Sequence, residues 1–308
     1  MTSSQLKKLF DKNIDATVRE HTNFIVQTYL DAGYEIYLVG GPVRDLLVGL
    51  SPKDIDFTSN CPLEKTKEMF DHVIPTGEEH GTLTIHIDGE NYEVTRYRTD
   101  VDTDGRKATI AYSETFEEDA ERRDLTVNAI GFNPITGEIK DPTGGMKDFE
   151  DKKIRFVGNA LDRIREDELR ALRYMRFIVK LDQFGFTPDE EEYKTVVKSY
   201  KPGVVSVERI YQEIDGMLKL LKNDDSSKGF LVKSLQDMKI FDRFGSKTKM
   251  DKAIAEIFET EDYFPLVNAM DGEHQKLKVG NEYKKLYTVF DNFADKDLSD
   301  RVVVKDLL

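Results

Sequence analysis

The chain holds one cysteine, Cys61, and no tryptophan in 308 residues, so no internal disulfide is possible and the core must be built from Phe, Tyr and aliphatic side chains. It has no run of about 18 apolar residues, and its first residues, MTSSQLKKLFDKN, lack an apolar stretch, so neither a membrane span nor a secretory signal is expected. Positive charge is in short supply as well. The 45 Lys and Arg against 59 Asp and Glu give a net charge of −14, which excludes a protein that coats nucleic acid through a general positive field. Internal repeats and low-complexity tracts are absent, which sets aside a solenoid. A soluble, cytoplasmic protein is the expectation. Cys61, beside Pro62 at an expected helix start, reads as a buried or incidental thiol without a chemical role.

With 39% hydrophobic residues the chain can fill more than one core, and two or three modules are expected. Its basic residues are concentrated. Residues 152 to 180 carry nine Lys or Arg against four acids and form the natural polyanion contact, whereas residues 251 to 308 hold thirteen acids and eight bases. A helical pattern over 17–32 leads into a buried strand at 35–39. A helix at about 62–70, a strand near Val73 and a hairpin over 82–97 turning at Asp88-Gly89 follow, and together they predict a small mixed sheet with helices. Residues 99–116 lack a clear period and read as a long mobile loop. A second hairpin turns at Thr136-Gly137. From about Asn159 helices dominate, over 161–181, 205–222, 227–240 and 251–259. The fold class is therefore α+β in the N-terminal head, then all-α.

Chemistry is most legible in YLVGGPVRDLLVGLSPKDIDFTSN, residues 37–60. Alternate residues of a strand point the same way, so Asp54 and Asp56 can share a cation while Ile55 and Phe57 face the core. Gly40 and Gly41 allow backbone N–H groups to approach a phosphate, Pro42 suits a first helical turn, and Arg44 adds a cation. Each element alone is most simply a solvated strand edge or an ordinary turn. Their combination points to nucleotidyl transfer. Glu93 is a conditional third carboxylate: it lies beside Asp54 and Asp56 only if its strand is their neighbour, and otherwise it is an exposed Glu paired with Arg96 or Arg98.

GGPVRD followed by KDID resembles the DNA polymerase beta-like nucleotidyltransferases, in the branch of class II tRNA nucleotidyltransferases and bacterial poly(A) polymerases. RRDLTVNAI (122–130) is similar to that branch's second motif, DPTGGMKDFEDKKIRFVG to its third, REDELRALRYMRF (165–177) to its EDxxRxxR motif, and SVERIYQEIDGMLKLL to its helical neck. The resemblance spans about residues 35–245. It implies a catalytic head over 1–145, a neck with a nucleotide-selecting helix over 146–200, and a helical, tRNA-binding body and shortened tail over 201–308. It implies Asp54, Asp56 and Glu93 as catalytic, with Mg2+ on Asp54 and Asp56. It also implies nucleotide contacts from Gly40, Gly41, Arg44, Arg123, Asp124, Asn128, Asp167, Arg170, Arg173 and Arg176, and a flexible joint at Gly144 and Gly145. On one helix, Asp167, Arg170 and Arg173 would form a stripe. An aspartate acceptor beside an arginine donor complements the edge shared by cytosine and adenine and leaves uracil and guanine mismatched. The expected activity is CCA addition to tRNA from CTP and ATP. A-only or CC-only addition, poly(A) synthesis and a non-catalytic RNA-binding protein are the alternatives.

Overall fold

The computed structural model describes residues 1–103, 108–201, 205–218, 220, 234–235 and 237–238. Two helices lead, α1 (Ser3–Asn13) and α2 (Ala16–Asp31). Thr2 and Gln5 form a reciprocal capping box on α1, and the Asp15 carboxylate accepts from the Thr17 and Val18 amides at the start of α2. The chain then runs β1 (Ile36–Val39), α3 (Gly41–Leu47), β2 (Asp56–Ser59), α4 (Leu63–Met69), β3 (Val73–Ile74), β4 (Thr82–Ile87) and β5 (Glu90–Arg96). Next come β6 (Arg98–Thr103), β7 (Ala108–Tyr112), α5 (Phe116–Glu121), β8 (Gly131–Phe132), β9 (Ile139–Lys140), α6 (Gly145–Glu150) and β10 (Lys153–Ile154). The last elements are α7 (Ala160–Glu166), α8 (Leu169–Asp182), β11 (Thr187–Pro188), α9 (Glu190–Ser199) and α10 (Val207–Leu218).

Seven strands form one sheet in the order β3-β4-β5-β2-β1-β8-β9. All neighbours are antiparallel except β2 and β5, which run parallel. The chain between β2 and β5, including α4, β3 and β4, supplies the long crossover a parallel pair requires. β1 is IYLV and is buried along its whole length, as a central strand covered on both faces must be. A continuous apolar cluster runs from Leu6 and Phe10 through the sheet to Leu172 and Met175 of α8 and Ile210 of α10. A smaller one joins Tyr37, Val39, Tyr97 and Phe116.

Three sequence expectations change. The described residues of 99–116 are not one long loop: β6 and β7 form an irregular antiparallel pair, Arg98 opposite Tyr112 and Thr99 opposite Ala111. Alternation there is hidden because polar Thr and Asp occupy the strand positions. The helix expected over 161–181 is two helices, α7 ending at Glu166 and α8 starting at Leu169. Asp167 breaks it with φ −151 and ψ 109, and its carboxylate accepts the Leu169 amide at 3.0 Å, the local bond by which Asp competes with a continuing helix. Gly145 is a packed corner instead of a flexible joint. A Cβ there would collide with the Thr126 carbonyl oxygen and lie 2.8 Å from Ile130 Cγ1. The helix expected over 251–259 and most of that over 227–240 lie outside the described residues.

Candidate active site

The parallel pairing of β2 and β5 sets Asp56 opposite Glu93, then Phe57 opposite Val94 and Thr58 opposite Thr95. That register meets the condition placed on Glu93, since both carboxylates leave the same face of adjacent strands. Ile55 and Phe57 are buried, as alternation requires. Asp54 lies just before β2, in a bend, so it does not share a strand with Asp56 as the sequence pattern suggested. The Asp56 carboxyl is pushed up to about 6, chiefly by burial and then by the negative charges of Glu93 and Asp54, against the pull of Arg123 and Arg44.

Gly40 joins β1 to α3 at φ 75 and ψ −123, a conformation costly for any residue with a Cβ. It brings Arg44 to the cleft, where the guanidinium is 5% exposed. Arg44 Nη1 donates to Asn128 Oδ1 at 2.9 Å, and Nε and Nη2 donate to Asp45 Oδ1 at 3.0 and 2.8 Å. A cleft of about 270 Å³ is lined by Gly40, Gly41, Arg44, Asp56, Glu93, Arg123, Asp124, Asn128 and Arg173. Asp54 lines an adjoining cleft of about 460 Å³ that shares Gly41, Arg44 and Asp56 with the first.

Arg122, Arg123 and Asp124 do not ride on a helix. α5 ends at Glu121, and Asp119 within it accepts from both Arg122 and Arg123 and from the Thr58 hydroxyl. Burial alone would raise Asp119, but its two arginines outweigh that and hold it low. Arg123 Nε is buried without a hydrogen-bond partner among the described residues, an unsatisfied donor on the cleft wall. Arg98 and Arg122 line the same cleft and escaped sequence reading, as did Asp119. The spacing of Asp119 to Arg122 and Arg123, three and four residues, was the signal available.

The neck residues are arranged otherwise. Arg173 donates to Asp124 Oδ2 from Nε at 2.8 Å and approaches it from Nη2 at 2.7 Å. Burial works to raise Asp124, yet Arg173, Asn128 and the Leu125 amide overcome it and the carboxyl stays ionised. Asp167 pairs with Arg209 of α10 at 2.8 Å, Arg170 with Glu166 and the Arg122 carbonyl, and Arg176 with Glu213 of α10 at 2.6 Å. The stripe expected of Asp167, Arg170 and Arg173 is incomplete: Arg170 and Arg173 share α8, but Asp167 lies before it with its carboxylate on the Leu169 amide and Arg209, and neither cleft includes Asp167, Arg170 or Arg176. Cys61 is buried, 2% exposed, as expected of a thiol without chemistry.

Residues 36–155 match the poly A polymerase head domain family. The chain is 37% identical to the human mitochondrial CCA tRNA nucleotidyltransferase 1 over 217 residues, 68% of this chain and 50% of that one. It is 37% identical to the CCA-adding enzyme of Bacillus cytotoxicus over 248 residues, 77% of this chain and 60% of that one. The CCA-adding enzyme of Bacillus stearothermophilus, solved with CTP, superposes with a TM-score of 0.65 at 26% identity, over 89% of this chain and 69% of that one. Over residues 36–155 the chain therefore carries a poly A polymerase head domain. The Thermotoga maritima CCA-adding enzyme, solved with tRNA-CCA, shares the fold, with a TM-score of 0.69 at 19% identity over 94% of this chain and 73% of that one. The chain spans about half the length of the curated relatives it matches. No helix among the described residues is long and apolar enough to cross a membrane.

Proposed function

We propose that this chain is a class II nucleotidyltransferase and a CCA-adding enzyme, transferring CMP and AMP from CTP and ATP to a tRNA 3′ end with release of pyrophosphate. The observation that carries it is the register of Asp56 and Glu93 on the sheet's one parallel pair, beside a cleft walled by Arg44, Arg123 and Arg173. The relatives' names supply the tRNA and the nucleotides. Residues 1–145 act as the head, 146–200 as the neck and 201–308 as the tRNA-holding body.

The family uses a divalent cation, and Asp54, Asp56 and Glu93 suit Mg2+. Among the described residues no three His, Cys, Asp or Glu side chains are already gathered as a ligand set. Mg2+ does not need one, because it binds through one or two carboxylates and completes its shell with water and phosphate oxygens. The mutual repulsion felt by Asp56 is what a cation would relieve. Bound there, the ion would lower the pKa of the attacking 3′-hydroxyl and offset charge on the α-phosphate. The chain's own residues do the positioning. Arg44 and Arg123, both on the cleft wall, hold phosphate oxygens, and Asn128 and Asp124 fix Arg44 and Arg173. Base choice falls to Asp167 and Arg170 once they leave Arg209 and Glu166 for an incoming base.

The test is incubation of the full chain with Mg2+ and labelled CTP and ATP on three tRNA transcripts: one lacking CCA, one lacking only the final A, and one complete. CCA addition extends the first by C, C and A, the second by A, and leaves the third unchanged. Extension of only one incomplete transcript assigns CC-only or A-only addition. Growth of the complete transcript assigns poly(A) synthesis, and no product with any transcript rejects transferase activity.

A further inference from the structure

Helix α8 presents a second stripe to the head, and it is not the one the motif suggests. Arg173, Phe177 and Lys180 stand four and seven residues apart, on one helix face. Each holds a different head group. Arg173 takes Asp124, the Phe177 ring lies under the Arg44 guanidinium at 4.9 Å, and Lys180 Nζ donates to both oxygens of Asp45 at 3.0 and 3.1 Å. Within the head, Asp124 accepts from Asn128, Asn128 accepts from Arg44, and Arg44 donates to Asp45. The hydrogen bonds thus form a circuit that leaves α8 at Arg173, passes through Asp124, Asn128, Arg44 and Asp45, and returns to α8 at Lys180.

Arg44 is the centre of that circuit. A guanidinium carries five N–H donors, and three are engaged, Nε and one Nη2 hydrogen with Asp45 and one Nη1 hydrogen with Asn128. No hydrogen bond among the described residues engages the remaining Nη1 and Nη2 hydrogens, and Arg44 lines the cleft. The four groups between its ends, Asp124, Asn128, Arg44 and Asp45, are held from both sides. Without Lys180, Asp45 keeps only its neighbour Arg44, and the arginine can swing with it. Arg44 is buried and Lys180 partly buried, burial lowers the pKa of each, and Asp45 between them is also the charge that lets them coexist.

Resting on the nucleotidyltransferase reading above, we propose that Asp45 and Lys180 are positioning residues that aim the two open donors of Arg44 at the phosphates of the incoming nucleotide, so that the neck helix sets the phosphate grip of the head. Neither residue touches the base. Their loss therefore acts on CTP and ATP alike and leaves the choice between nucleotides as it was.

The experiment measures KM and kcat for CTP and for ATP, and Mg2+-CTP binding by calorimetry, for the full-length wild type, Lys180→Met, Lys180→Arg and Asp45→Asn, with melting temperatures alongside. In Lys180→Met, KM for both nucleotides rises about tenfold and CTP binding weakens in parallel, while kcat changes less than about threefold. Lys180→Arg, which keeps a donor to Asp45, restores KM to within about threefold, and Asp45→Asn, which preserves shape and loses charge, repeats the Lys180→Met effect. Unchanged KM and binding in a folded Lys180→Met overturns the proposal, as does a Lys180→Arg variant as impaired as Lys180→Met. If Lys180→Met fails to fold, Asp45→Asn decides by the same criterion. A wild type that binds CTP but transfers nothing to tRNA rejects the proposed function instead; one that binds no CTP rejects both.

Discussion

The head carboxylates and the neck stripe were read from equally short motifs: Asp56 and Glu93 meet as strand alternation implied, with Asp54 in the bend just before β2, whereas Asp167 leaves the stripe. Asp56 and Glu93 meet because strand alternation and a parallel register fix both side chains on one face, whatever else surrounds them. Asp167 parts from Arg170 and Arg173 because a helical stripe holds only while the helix is unbroken, and its carboxylate accepts the Leu169 amide at the start of α8. Each then takes a partner from elsewhere, Arg209, Glu166 and Asp124. The head residues already line one cleft, whereas the neck motif is held in ion pairs that, under the proposed function, an incoming base would have to exchange.

The sharpest way to break that contrast is to remove a head carboxylate. Asp54→Ala or Asp56→Ala lowers nucleotide addition by at least about a hundredfold, since several kcal/mol of charge stabilisation depend on these groups, while circular dichroism shows an intact fold. Activity above a few per cent of wild type in a Mg2+-replete assay removes them from the site.

The neck comes next in magnitude. Asp167→Ala lowers use of CTP and ATP by about one to two orders of magnitude, a lost hydrogen bond to a charged partner being worth about 1.5 to 3 kcal/mol, and lowers use of UTP and GTP less. Equal losses for all four nucleotides would make Asp167 a structural partner of Arg209 and Leu169 only.

Asp56 also separates function from stability. Its folded pKa of about 6 lies above the ordinary 3.8, so between these values the folded state binds the extra proton. The stability from this group is complete at low pH and is lost as pH rises through about 6. In metal-free protein at pH 8, Asp56→Asn therefore stabilises the fold by on the order of 2 kcal/mol while abolishing transfer. A thermal melt that falls instead contradicts the crowding assigned to these carboxylates.

The smallest effect belongs to the basic neck. Arg163 and Arg165 bond chiefly to Glu166, the Glu121 carbonyl and Asp162, and reversing both to Glu weakens tRNA binding and flattens its salt dependence by about two phosphate contacts, with nucleotide KM unchanged. An unchanged salt slope places the RNA elsewhere.

The residues themselves show why one half was more legible than the other. Gly40, Arg44, Asp56, Glu93, Arg123, Asp124, Asn128 and Arg173 were all named from sequence and all line one cleft. Period-two strands at 82–97 and the Asp88-Gly89 turn fixed where Glu93 would stand. Asp45 and Lys180 were missed because they pair across 135 residues, which no local period reveals, while Asp119 offered a local signal in its spacing to Arg122 and Arg123 but also bonds Thr58, 61 residues away. The β6–β7 pair was missed because Thr and Asp filled positions where alternation would have shown apolar residues.

The central claim is that Asp56 and Glu93, paired across the parallel strands, act together on one cation. It is tested most directly by titrating Mg2+ into the labelled CMP-incorporation assay with wild type, Asp56→Asn and Glu93→Gln. The account predicts that activity in wild type saturates with Mg2+, that Asp56→Asn stays inactive at any concentration, and that Glu93→Gln needs a higher Mg2+ concentration for a reduced maximum. A Glu93→Gln curve that overlays wild type would contradict it.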